Sequence, residues 1–99
     1  MAFKRTQESD RLMEAFLSLR NREEAYQLFE DLCTVKEVQD MAQRLEIARL
    51  LKHGTKYQDV AEKTGVSSAT ISRVNRCLQY GAGGYQLVTG RLEAGEDER

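Results

Sequence analysis

The sequence predicts an all-α fold, and three features of its 99 residues carry that prediction. Apolar residues recur at helical spacing along most of the chain, short polar residues stand at capping distance before those runs, and glycines follow them. Residues 1–92 are expected to form one small helical domain and 93–99 an acidic, disordered tail. A chain this short buries only about 60–65% of its unfolded surface, so the core is thin and a partner subunit would help it.

The first helix is predicted near 8–19, where Leu12, Phe16 and Leu19 with Met13 and Leu17 form one stripe. Asn21, with Glu24 three residues on, is capping-box-like and opens a second helix near 22–33, striped by Ala25, Leu28, Phe29 and Leu32. Both read as packed scaffold. Thr34 and Glu37 open the third, near 35–53. It carries one row of Val38, Met41, Ala42, Leu45 and Ala48 and a second of Ile47, Leu50 and Leu51, an arc wide enough for burial on two sides. Gly54 closes it. Thr55 with Gln58 opens a fourth helix near 56–64, closed by Gly65, and a fifth runs over 68–80 to Gly81. Glycines at 81, 83 and 84 then permit a bend before YQLVTGRLE, a short last helix interrupted at Gly90.

Charge is unevenly spread. Residues 1–43 hold 6 Lys/Arg against 9 Asp/Glu, residues 44–80 hold 7 against 3, and residues 81–99 hold 2 against 4. The basic middle can attract phosphate although the whole chain is slightly acidic. Within it, two short helices joined by Gly65-Val66-Ser67 have the layout of a helix-turn-helix at about 56–80. Ala61 is small where the helices cross, Ser67 can cap the second, and Val60, Val66, Ile71 and Val74 are apolar where the two pack. At 100° per residue Ile71, Val74 and Leu78 share one side of the second helix, while Ala69, Ser72, Arg73, Arg76 and Tyr80 share the other.

No acidic residue occurs between Gly65 and Leu78. Small side chains let a helix start sit deep in a major groove, hydroxyls and guanidinium groups reach bases or phosphates, and a carboxylate there would be repelled. Ser67, Ser68, Ala69, Thr70, Ser72, Arg73, Arg76 and Lys56 are therefore the candidate contacts to double-stranded DNA. The plainer alternative is a surface helix in a bundle, or a helix-turn-helix that docks another protein.

The run from Asp31 to Leu78, with DLCTVKEVQDMAQRLEIARLLKHG followed by YQDVAEKTGVSSATISRVNRCL, resembles the tryptophan repressor superfamily, and its small YerC/YecD branch most. The resemblance implies a Trp repressor-like intertwined helical homodimer of six-helix chains, whose helix-turn-helix units act as reading heads on a pseudo-palindromic operator. It implies a transcriptional regulator, a repressor by its family. In that family a corepressor lies between the central helix and the reading head, held by two arginines with a threonine nearby. Thr34, Arg44 and Arg73 occupy those positions, with Cys77 one turn further on. Two departures speak against tryptophan as the ligand. Val74 stands where the family has glycine, adding bulk, and Cys77 where it has serine, removing a polar partner. Ion pairing for Arg44 and phosphate contact for Arg73 are the simpler roles, and whether another small molecule serves as corepressor stays open.

Cys33 and Cys77 lack metal-ligand or CxxC spacing and are expected as reduced, mostly buried thiols. His53 stands where it would favour the helix C-terminal dipole. No Ser/His/Asp, Cys/His or phosphate-loop constellation supports an enzyme, and no metal or cofactor is indicated. The opening MAFKRTQESDR lacks a signal-peptide core, no apolar run approaches the roughly 20 residues of a membrane span, and a cytoplasmic location is expected.

Overall fold

The structure, a computed structural model, describes residues 3–97 and consists there of six α-helices without a strand. They are α1 (Gln7–Ser18), α2 (Arg22–Leu32), α3 (Val35–Lys52), α4 (Tyr57–Thr64), α5 (Ser68–Tyr80) and α6 (Gly84–Asp97). Among the described residues no helix is long and apolar enough to cross a membrane. The chain divides into two compact units, one reaching Gln39 and one beginning at Asp40, with the boundary inside α3.

The N-terminal unit is well capped. Thr6 Oγ1 accepts the Ser9 amide hydrogen at 3.0 Å while Ser9 Oγ accepts that of Thr6 at 2.8 Å, a capping box that the sequence pattern does not single out. Asn21 Oδ1 accepts the Glu24 amide hydrogen at 2.9 Å, and Glu24 Oε1 reaches past the cap to the amide of Arg20 at 2.9 Å. Thr34 and Glu37 close both bonds of their box, at 2.8 and 3.1 Å. Phe16 and Phe29 stack with centroids 5.5 Å apart. Even so, neither α1 nor α2 buries a single residue, and Met13, Leu17, Tyr26 and Leu32 stand exposed.

The C-terminal unit holds the core. Ile47, Ala48 and Leu50 of α3 meet Val60 of α4 and Ile71, Val74 and Leu78 of α5, with Leu51, Ala61, Val66 and Tyr85 packed around them. Removing each large aliphatic side chain from water stabilises by about 1.5–3 kcal/mol. The two apolar rows of α3 part company here. Ile47 and Leu50 enter the core, while of the other row only Ala48 is fully covered and Met41 and Ala42 remain exposed. Burial of α3 on two sides, expected from sequence, is met on one side within a single chain.

Three local expectations are corrected. Lys56, not Thr55, is the N-cap of α4, and no side chain caps it. The amide of Thr55 instead bonds back to the Leu50 carbonyl at 3.1 Å, which delays the helix start by one residue and leaves the Thr55–Gln58 box unformed. Gly81 ends α5 in extended backbone rather than at positive φ, and the reason for glycine there is space, since a Cβ would collide with the Cys77 carbonyl oxygen. Finally, α6 is longer than the sequence pattern suggests. It passes through Gly90 and continues across 93–97, where the composition predicts disorder, and residues 98–99 of that segment lie outside the described residues. Contacts remote in sequence hold it: Lys52 Nζ donates to Thr89 Oγ1 at 3.1 Å, and His53 Nε2 lies 2.8 Å from Glu93 Oε1.

Candidate nucleic-acid interface

Residues 56–80 form the helix-turn-helix. Gly65 takes φ 72°, the left-handed conformation that closes α4, and its amide bonds to the Ala61 carbonyl at 2.8 Å. Two residues later Ser67 caps α5, its Oγ accepting the Thr70 amide hydrogen at 3.3 Å. The turn is therefore fixed at both ends by backbone needs. Ala61 and Val66 are half-buried against the core, as their positions require.

α5 is sharply two-sided. Ile71, Val74 and Leu78 are buried, whereas Ser67, Ser68, Ala69, Ser72, Arg73 and Arg76 are exposed. Thr70 differs from its neighbours. It is half-buried, with Oγ1 3.1 Å from Ser67 Oγ, so its hydroxyl is engaged in the cap. Lys56 is exposed but lines a depression together with Asp59 and Glu62, a mixed-charge setting unlike the carboxylate-free face of α5.

Of the residues suggested for a small ligand, two share a neighbour. Arg44 and Cys77 are both close enough to Tyr85 of α6 to act on its hydroxyl. Burial pushes that hydroxyl above its ordinary pKa, Arg44 draws it down, and Cys77 pushes it up. Arg73 is exposed on the outer face of α5. Thr34 belongs to the N-terminal unit, where its amide and hydroxyl are both taken by Glu37. Val74, the residue expected to narrow a pocket, is a core residue at 2% exposure. The cysteines also depart from expectation: Cys77 is exposed and Cys33 half-buried, because Cys77 sits at the edge of the arc defined by Ile71, Val74 and Leu78. His53 pairs with Glu93 rather than standing alone at a helix end. Sequence reasoning passes over Tyr85 altogether. Its one signal is an aromatic residue at the start of the short last helix.

An all-α chain carrying a capped helix-turn-helix with a basic, carboxylate-free second helix defines a helix-turn-helix protein. The family model described as Trp repressor protein matches residues 7–93, and the chain belongs to the Trp repressor family. That family consists of transcription regulators, not enzymes. The uncharacterised protein YerC of Bacillus subtilis (strain 168) is 48% identical over 94 residues, covering 95% of this chain and 90% of the relative. A crystal structure of a TrpR-like protein from Eubacterium eligens ATCC 27750 superposes with a TM-score of 0.85 at 51% identity, covering 89% of this chain and 91% of that one. A candidate Trp repressor from Staphylococcus aureus gives a TM-score of 0.86 at 46% identity, with 90% and 89% covered.

Proposed function

We propose that this chain is a homodimeric, sequence-specific transcription regulator of the cytoplasm that represses by occupying a pseudo-palindromic operator in double-stranded DNA. The observation that carries the reading is the solvent face of α5, where small residues and hydroxyls give way to Arg73 and Arg76 with no acidic side chain among them. Ser68, Ala69 and Ser72 approach base edges, Arg76 and Lys56 hold phosphate, and Ser67 and Thr70 set the start of the helix. A two-fold dimer presents two such helices, so the preferred site has half-site centres about 34–36 Å apart or a multiple of that. The incompletely covered apolar stripes of α1 and α2, with Met13, Leu17, Tyr26 and Leu32 exposed, support the dimer, since a second copy is the simplest cover for them. Tryptophan is not the effector in this reading, because Val74 stands where the family has glycine and Cys77 where it has serine.

Selecting bound duplexes from a random pool, with and without added amino acids, tests DNA binding, site symmetry and ligand dependence together. Arg73→Ala should cost about 1–3 kcal/mol and relax selectivity at one base pair per half-site. Arg76→Ala should weaken all sequences alike and flatten the salt dependence by about one unit for each phosphate no longer neutralised. If both variants keep full affinity, α5 is not the reading element and docking of another protein becomes the better account of this surface.

A further inference from the structure

We infer that the cleft formed by the ends of α3 and α5 and the start of α6 is a binding site for a small monocarboxylate whose other polar groups are neutral amides. The site belongs to the free protein and stands whether or not α5 reads DNA.

The cleft holds about 510 Å³, the size of a small-molecule site rather than of a lone ion. Leu51 and Leu78 supply its apolar part and Lys52 of α3 its charge, while Asn75 and Gln79 of α5 and Gln86 of α6 supply carboxamides. Gly81 and Gly83 form part of its lip, where neither adds a side chain to narrow the entrance. Arg44, Arg73 and Cys77 do not line it, so it is a different place from the one that the family resemblance suggests.

Charge decides the class of ligand. No carboxylate lines this cleft, whereas four other depressions among the described residues each include at least one. Lys52 carries three N–H donors. One goes to Thr89 Oγ1 at 3.1 Å, and Glu93 Oε2, at 3.9 Å, lies beyond hydrogen-bond reach and lines another depression. The lysine side chain is only 26% exposed, so an anion beside it is screened less than at the open surface. A ligand ammonium would meet no acidic partner in the lining, which disfavours a free amino acid.

The carboxamides set the rest. Gln79 Nε2 donates to Asn75 Oδ1 and Gln86 Nε2 to the Leu78 carbonyl, both at 3.4 Å, longer than the roughly 2.7–3.2 Å of a well-formed N–H···O bond. Groups held that loosely exchange partners for a ligand amide at little cost. Each carboxamide can offer that amide both a donor and an acceptor.

Titration of the isotope-labelled full chain with sodium N-acetylglycine, without DNA, tests the site by nuclear magnetic resonance. The probe carries one carboxylate and one amide, and a ligand of its size should bind saturably in the millimolar range or tighter. The side-chain amide signals of Asn75, Gln79 and Gln86 should move, and those of Gln7 in α1 and Gln27 in α2 should stay in place. Glycinamide, a small cation with an amide, should not bind. Lys52→Met should weaken the probe about tenfold, and Gln79→Leu, which gives up only a contact within α5, about threefold. If Lys52→Met loses helical circular dichroism with its bond to Thr89, Gln79→Leu carries the test. Any of four results overturns the inference: no saturable binding, glycinamide binding as well as N-acetylglycine, parent-like binding by Gln79→Leu or by a folded Lys52→Met, or shifts confined to amides outside the cleft.

Discussion

In the C-terminal unit, three helices bury Ile47, Val60, Ile71 and Val74 to 2% exposure or less, whereas α1 and α2 of the N-terminal unit carry apolar stripes in which no residue is more than half-buried. The N-terminal unit is even the better capped: Thr6, Asn21 and Thr34 each cap a helix there, whereas in the C-terminal unit Ser67 caps α5 and no side chain caps α4. What differs is the surface on offer. An amphipathic stripe fixes which side of a helix should be covered, and burial follows only where the same chain supplies the cover. The helix-turn-helix finds its cover in α3 and in Tyr85 of the same chain. The N-terminal helices do not, and under the dimer proposal they wait for a second copy.

The strongest way to break that comparison is to charge the exposed stripe. Leu17 is 84% exposed in the single chain, so Leu17→Glu is nearly neutral for a monomer. In a dimer it removes about 1.5–3 kcal/mol of apolar burial from each copy and places a carboxylate in the interface. At roughly 4–8 °C per kcal/mol for a domain of this size, the melting midpoint should fall by more than about 10 °C and the solution mass should halve. The parent midpoint should rise with protein concentration. An unchanged mass and midpoint in Leu17→Glu would show that the α1 stripe is not the interface.

Ile71→Ala examines the other unit. It is fully buried between α3, α4 and α5, and its truncation should cost about 2–5 kcal/mol in a urea titration. Sedimentation should still give a dimer below the denaturation midpoint. If Ile71→Ala dissociates the dimer as Leu17→Glu does, the two units are not separable in the way their burial suggests.

A smaller effect isolates the turn. Nothing lies within 4 Å of a Cβ built on Gly65, so Gly65→Ala has no steric neighbour to displace and acts only through its φ of 72°. Forcing alanine into the left-handed region costs about 1–2 kcal/mol, partly offset by about 0.4–1 kcal/mol from the stiffer unfolded chain. Gly65→Asn should be milder than Gly65→Ala, because asparagine tolerates that region. Equal losses would place the role of Gly65 in something other than backbone conformation.

The sequence locates α1 to α5 to within a residue or so at each end because Asn21, Thr34, Gly65 and Ser67 are local signals whose hydrogen bonds close within four residues. It identifies the buried side of α5 and the residues of its exposed face for the same reason. It misses what is decided at long range. The extent of α6 depends on Lys52 and His53, which are 37 and 40 residues away from their partners Thr89 and Glu93, and no periodicity encodes those bonds. Tyr85 is invisible by the same logic. Thr55 misleads because a capping pattern says nothing of a competing backbone bond to Leu50.

The smallest expected effect sets one carboxylate of each unit side by side. Glu37, in the N-terminal unit, has its pKa lowered chiefly by the Thr34 amide hydrogen and then by the Thr34 hydroxyl. Glu46, in the C-terminal unit, has its pKa lowered chiefly by its hydrogen bond to Arg49. In both the folded value lies below the unfolded one, so each contributes stability above the ordinary carboxylate range and loses it as pH falls through the depressed value. Glu37→Gln keeps a side chain able to complete the box but removes the titration, so parent and variant should differ near neutrality and converge in acid. Glu46 is present in both proteins and cancels in that difference. Thermal midpoints measured across the acid range decide the matter. The gap is expected to be slight, since Glu37 is fully solvated, and a gap that stays constant into strong acid would show that the neutral hydrogen bond, not the charge, makes this cap.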